Sequence, residues 1–348
     1  MTSTIRSDGA PTRSVPAGVR ARRRAHVRHA VLALLQFVGR TVAIVVPVFL
    51  FATFITFALG AVSGLSPAGL KLGDAATPAD VERVNAEFGL DQNIIARYLG
   101  WLGGIVRGDL GVSWFNDLPV APQIFQRLEI SVSVAGLALL IGIVFGFALG
   151  VLAALNQGSW FDRGVTVFTT VISTLPPFVV AIGLIVVFCV TFPLLPSAGY
   201  VSPSVDVGRW LALITLPAIA LSLDTVSDLA RQLRTGLVEA YRENYVTGAI
   251  VRGLGRRRVL LVHVLRNGAG PALTVLGMRV PALLGGAVVT ESIFGMAGFG
   301  RFASESALRG DVPVVQGTLV VAIVLVLAFN LLVNGALVRL RPSSLRGL

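Results

Sequence analysis

ENYVTGAIVRGLGRRRVLLVHVLRNGAGP, residues 243–271, lies between two long apolar runs yet carries Arg252, Arg256, Arg257, Arg258 and Arg266, with Gly253 and Gly255 near its middle. Its apolar residues keep helical spacing. Tyr241, Tyr245 and Ala249 are four apart, as are Val246, Ile250 and Leu254, which predicts a helix over 239–254. The glycines allow a sharp turn. Arg256 then opens a second short helix, RRRVLLVHVLRN, that leads into the next apolar run. Two short amphipathic helices at an angle make a compact knob. Rigid helices with exposed arginines suit insertion into an acid-rimmed cleft of a soluble partner. A solvated loop or an anchor on lipid headgroups uses the same residues.

The composition around this stretch is that of a membrane protein. Of 348 residues, 54% are hydrophobic and 14% charged, and the mean hydropathy is +0.80. A soluble domain needs more polar cover than that. The net charge of +11 rests almost wholly on arginine, Lys71 being the only lysine. Basic residues gather at the inner ends of membrane spans, so the charge needs no nucleic acid partner. The lone cysteine, Cys189, sits in an apolar run; it forms no intrachain disulfide and reads as a small hydrophobe.

Six apolar segments are long enough, or nearly so, to cross a bilayer: 41–62, 130–155, 165–195, 210–223, 267–290 and 312–338. About 20 residues of helix span the hydrocarbon. The first follows a basic tail, 1–40, as a signal sequence would, but its 22 uncharged residues exceed a usual signal core and read as an uncleaved span. Pro176 and Pro177 should kink the third or end a helix there. The fourth must continue past Asp224 towards Leu229 to span. The fifth holds Arg279, which has to face protein or water.

An N-terminus inside puts 20 Lys and Arg on the segments 1–40, 156–164, 224–270 and 339–348, against 8 on 63–129, 196–209 and 291–311. That bias predicts both termini in the cytoplasm. Residues 63–129 then form an extracytoplasmic helical subdomain packed as a cap. Within it TPADVERVNAEFGLD starts like a helix, with Thr77 as N-cap, Pro78 in the first turn and Gly89 as its end. A second helix, DQNIIARYLGWLGGIV, carries a stripe of Ile94, Ile95, Tyr98, Leu99 and Leu102. The five-helix core is 130–341, with the basic loop at 239–268, and 342–348 is a tail.

Catalytic constellations do not emerge. Leu72 follows Lys71, so no P-loop exists. His26 and His29 lie in the basic tail and His263 in the knob, without zinc spacing. No GxSxG elbow is present. The chain alone is expected to be no enzyme and to hold no cofactor or metal.

The knob resembles the EAA loop of binding-protein-dependent ABC transporter permeases, in particular the first permease subunit of dipeptide, oligopeptide and nickel importers. Ala249 and Gly253 match the small residue and the glycine four positions on, and Leu265, Arg266 and Asn267 match the residues before the next span. VNAEFGLDQ, YLGWLGGIVRGDLGVS, GSWFDR, LLGGAVVTESIFGMAGFGR and DVPVVQGTLVV resemble other parts of that family, so the likeness runs from about 41 to 341. The chain departs from the family at GLSPAGLKLGD after the first span, at Ala297 where proline is common, and at Arg279 where glutamine is usual. Its basic N-terminal tail is also longer.

The resemblance implies an all-α, six-span MetI-like ABC importer permease fold. It implies a homologous second permease, two ATP-binding subunits that hold ATP and Mg, an extracytoplasmic substrate-binding protein, and a peptide substrate. Glu243, Tyr245, Ala249, Gly253, Leu254 and Arg258 would couple the chain to the ATPase: Gly253 through the turn, Leu254 through apolar contact, Glu243 and Arg258 at the rim. Polar groups within spans are candidates for the translocation pathway: Arg279, Asn330 and Asn334, with Glu291 at the outer end. Arg279 suits either a peptide carboxylate or an internal pair with Asp224 or Asp228. Asn330 and Asn334, four apart, also suit bonds between helices. The rival from another class is a stand-alone secondary transporter or channel, which would need internal symmetry that the chain does not display. Among importers, nickel or another small solute is the alternative cargo.

Overall fold

The computed structural model describes residues 39, 43, 45–62 and 77–340, with the side chains of 280 and 332–340 outside that description. The terminal tails read from the sequence lie outside the described residues. The chain divides into two units, Met1–Ile55 and Thr56–Leu348. In the first, the apolar helix α1 (Val45–Val62) begins, and the Thr53 hydroxyl donates back to Phe49 O at 2.7 Å.

The regular structure of the second unit is helical in its described part, apart from an isolated bridge between Val112 and Pro119. Helix α2 (Pro78–Glu87) starts as its sequence dictates. The Thr77 hydroxyl accepts from Asp80 N, Pro78 takes the first turn, and Gly89 at φ +63 follows the end. Helix α3 (Ile94–Val106) is capped by Asn93, whose Oδ1 accepts from Ile95 N at 2.8 Å. Tyr98 of α3 packs edge-on against Phe57 and stacks on Trp101.

Helix α4 (Val120–Leu155) begins ten residues before the apolar run that announced it. The boundary read at 129 is therefore a boundary of polarity and not of secondary structure. Arg127 and Glu129 lie inside α4, because charge marks where a helix leaves hydrocarbon without ending it. Gly142, Gly146 and Gly150 of α4 form a stripe at every fourth position. Cβ atoms there would meet Thr225 Cγ2 at 2.6 Å, Leu229 Cβ at 2.9 Å and Ala230 O at 2.9 Å. Only glycine lets α4 pack this closely on α7.

Helices α5 (Trp160–Thr174) and α6 (Pro177–Thr191) meet at 99°. The paired prolines end α5: proline lacks an N–H and pushes its predecessor out of helical geometry. Helix α7 (Val207–Tyr241) has 35 residues. It includes the fourth apolar run and continues well past Leu229, carrying Asp224, Asp228, Arg231 and Arg234 within the helix. The segment read as an inner loop from 224 thus starts as helix, for the same reason as at α4.

Two short helices follow, α8 (Asn244–Val251) and α9 (Arg256–Gly268), and then α10 (Gly270–Ile293), which leaves α9 at 54°. Helices α11 (Phe299–Arg309) and α12 (Val312–Leu340) complete the described chain. By length and composition α1, α4, α7 and α12 can each cross a membrane, and the bent segments α5–α6 and α9–α10 raise the number to six. Within the second of these, α10 has 24 residues, about 36 Å of helix. Exposed Leu140, Val144, Phe145, Val167, Phe168 and Val171 give α4 and α5 a surface suited to lipid.

Candidate functional site

The knob begins where α7 stops. Tyr241 is the last helical residue, Arg242 caps it, and Glu243 turns extended (φ −73°, ψ 142°) before α8 starts at Asn244. The single helix expected over 239–254 is thus broken at Arg242–Glu243. In α8, Val246 and Ala249 are fully buried, while Ile250 and Val251 are 57% and 81% exposed. The predicted spacing held, but it divides between two faces.

Gly253 stands at φ +77, a conformation that favours glycine. Its N–H donates to Ile250 O at 2.9 Å, and that of Leu254 to Ala249 O at 3.2 Å. This paired closure is a Schellman motif, which brings the residue after the glycine onto the last turn. Leu254 is accordingly half-buried and packs against the knob's own core of Val246, Ala249, Val259 and Val264. The outward apolar groups are Ile250 and Val251, with Leu261 and Val262 of α9 also exposed. Glu243, Arg256, Arg257 and Arg258 are exposed around them. Residues Val259–Val264 are wound as a π-helix, a local widening common at functional sites. Burial raises the pKa of the Tyr245 hydroxyl, and a hydrogen bond with Asn267 works against that shift.

The knob is fastened to α7 through backbone. Gly236 of α7 lies against Gly268 at the end of α9, so closely that a Cβ on Gly268 would stand 2.6 Å from Gly236 O. A second fastening joins α5 to α7. Asp162, buried, takes Arg234 Nε at 2.5 Å and Nη2 at 2.7 Å, and Gly158 N at 2.9 Å. Ser159 caps α5 by accepting from Asp162 N at 3.2 Å. The pattern Ser-x-x-Asp within GSWFDR is a capping-box signature that could have located this helix start. No local signal points to Arg234, 72 residues away.

The span-embedded polar groups do not form one cluster. Arg279 of α10 pairs with Asp228 and reaches Asp224 at 3.8 Å, both on α7, and Arg231 also pairs with Asp228. Of the two roles open to Arg279, the geometry displays the internal pair, with the guanidinium 23% exposed. Asn330 is half-buried on α12. Asn334 lies one turn further on, with its side chain outside the described residues.

Glu291 is completely buried near the end of α10 away from the knob. It accepts from the Ser131 hydroxyl of α4 and from Arg301 N at 2.8 Å, and Ser131 in turn accepts from Phe299 N at 2.8 Å. The carboxylate therefore caps α11 from another helix, where the N-terminal end of the macrodipole favours negative charge. Gly298 is the N-cap, and any side chain there would overlap the carboxylate. Glu291→Ala is expected to lower stability by about 2–4 kcal/mol by stranding these donors, and Glu291→Gln by less. Thermal unfolding in detergent checks the order; an unchanged midpoint for Glu291→Ala would remove the capping role.

Comparisons with known proteins follow this architecture. Residues 146–345 match the family described as "Binding-protein-dependent transport system inner membrane component", and residues 34–135 match its N-terminal counterpart. A putative peptide transport system permease protein of Brucella abortus is 39% identical over 296 residues, 85% of this chain and 94% of that one. The dipeptide transport system permease protein of Escherichia coli is 32% identical over 325 residues, 86% and 96% of the two chains. Among solved structures, inward-facing MetNI methionine ABC transporter shares the fold at TM-score 0.50 and 14% identity, over 63% of this chain and 96% of that one. With the six candidate spans and the basic knob between α7 and α10, these matches make the chain a member of the family of binding-protein-dependent transport system inner membrane components.

Proposed function

We propose that the chain is one of two homologous permease subunits in an ATP-driven importer of di- or oligopeptides, and that the knob of α8 and α9 docks into an ATP-hydrolysing partner. Peptide cargo is supported by the names of the relatives in Brucella abortus and Escherichia coli. The observation that carries the docking is the knob's outward tip: Ile250 and Val251 stand exposed beside Arg252 and Arg256 to Arg258, on a base whose other face is buried. An apolar centre with a charged rim is the usual form of a protein interface.

In this reading ATP and Mg belong to two partner subunits, and an extracytoplasmic binding protein delivers the peptide. The arginine distribution supports a cytoplasmic position for the knob and both termini. Gly253 sets the angle of the tip, Ala249 and Leu254 hold its base, and Glu243, Tyr245 and Arg258 meet the partner's rim. Closure of the ATPase pair moves the knobs and switches the spans between two states. Arg279 with Asp224, together with Asn330 and Asn334, supplies polar surface to the pathway, and Glu291 braces its outer end.

The test is Val251→Asp in the complex purified from native membranes. Burying a carboxylate in an apolar contact should cut ATPase recovery by about tenfold or more. Val205→Asp, exposed on the loop before α7, should leave recovery unchanged. Full ATPase recovery and uptake with Val251→Asp would remove the docking role of the tip.

A further inference from the structure

At the end of α10 opposite the knob, the loop after α3, the first turns of α4 and the whole of α11 enclose a cleft of about 320 Å³. This is near the lower bound for small-ligand sites. Three guanidiniums line it, those of Arg127, Arg301 and Arg309, together with the carboxylates of Glu305 and Asp311.

The carboxylates are spent unevenly. Asp311 is buried and engaged, accepting from the Ser113 hydroxyl at 2.5 Å and from Trp114 N at 3.1 Å. Glu305 is held by Arg301 Nε at 2.6 Å and lies 3.9 Å from Arg309. Arg127 is in no ion pair among the described residues; one of its nitrogens donates to Gln123 O at 3.0 Å. Arg127 and Arg309 therefore keep donor capacity that nothing in the cleft uses fully.

Each lies over an aromatic ring. The Arg127 guanidinium lies 3.9 Å from the centre of the Phe302 ring, and that of Arg309 lies 4.6 Å from the centre of Phe115. A cation over a ring is attracted to its π face without spending its N–H donors. Guanidinium donors match a carboxylate in bidentate fashion, and a ring contact that places them beforehand lowers the entropy lost on binding. A phosphate would bring more charge than two partly compensated arginines call for.

We propose that this cleft is a carboxylate-binding subsite at the mouth of the pathway, taking the C-terminal carboxylate of a peptide on Arg127 and Arg309. The identity of the carboxylate's bearer rests on the peptide reading above. Glu305, 3.9 Å from Arg309, then acts as an internal competitor for that guanidinium, which gives the proposal a prediction of opposite sign.

The test titrates the full-length chain in detergent with L-alanyl-L-alanine and with its C-terminal amide, followed by saturation-transfer NMR. The free acid should bind saturably, and the amide about tenfold more weakly. Arg127→Gln and Arg309→Gln should each weaken the acid about tenfold, whereas Glu305→Gln should tighten it about threefold. Glu305→Gln keeps shape and size, so it also answers the question if an arginine variant fails to fold. Equal binding of acid and amide, no saturable binding of the acid, or looser binding with Glu305→Gln overturns the subsite. Uptake by the reconstituted complex separates this from the peptide reading. A wild-type complex that binds dialanine in the cleft and does not import it keeps the subsite and removes peptide import. Import at the wild-type rate with Arg127→Gln and Arg309→Gln does the reverse.

Discussion

Alanine at Gly268 is expected to stop uptake and to lower the unfolding midpoint, although it adds a single methyl group. That methyl would stand 2.6 Å from Gly236 O, 2.9 Å from Gly236 C and 3.1 Å from Leu237 Cα. All three are backbone atoms of α7, so no side chain can turn aside. The helices must part by roughly 1 Å, and overpacking of this kind costs typically about 1–3 kcal/mol. The functional loss should exceed the loss of stability, because the displaced element is the knob. Gly236→Ala meets Gly268 O in the same way and should behave alike. Since both act on one contact, the double variant should lose less than the sum of the two. Wild-type uptake and midpoint with Gly268→Ala would show that the two helices do not need this approach.

The second large effect is expected at Asp162. Its carboxylate receives two hydrogen bonds from Arg234 and one from Gly158 N, with the aspartate side chain 4% and the arginine 30% exposed. Removing one partner of a buried pair costs about 3–5 kcal/mol, because the other charge stays behind uncompensated. Arg234's partial access to water places Asp162→Ala near the lower end of that range. Asp162→Asn keeps the shape and an acceptor for Gly158 N, so its loss should be smaller. A double-mutant cycle with Arg234→Ala, read by unfolding in detergent, measures the coupling. Strictly additive losses would mean that the pair contributes nothing as a pair.

What the sequence discloses here is local. Apolar periodicity located the knob's first helix though not its break at Arg242–Glu243, Thr77 and Gly89 bounded α2, and Gly253 with Gly255 marked a sharp turn, because each depends on neighbours within a few residues. The start of α4 at Val120 and the reach of α7 to Tyr241 lie beyond the apolar runs for a physical reason: a helix crossing into water keeps its backbone bonds and changes only its side chains. Spacing also showed that Ile250 and Leu254 share a stripe without showing which one faces outward. The Schellman closure at Gly253 decides that by drawing Leu254 in. The Gly142-Gly146-Gly150 series stood in the sequence as a packing signal, but its partner helix did not. Pairings such as Asp162 with Arg234, or Glu291 with Ser131 across 160 residues, follow only from the folded chain.

Helix α7 carries a mechanical consequence. From Pro217, the one proline inside it, to Tyr241 at the base of the knob there are 24 residues, about 36 Å of rigid rod. Proline is where such a rod bends. A bend of about 10° there carries the far tip roughly 6 Å sideways, a little more than one helical turn. If the knob docks as proposed, a push of that size there needs only a small change of angle at the buried Pro217, and α7 would serve as a lever arm with its fulcrum at that residue.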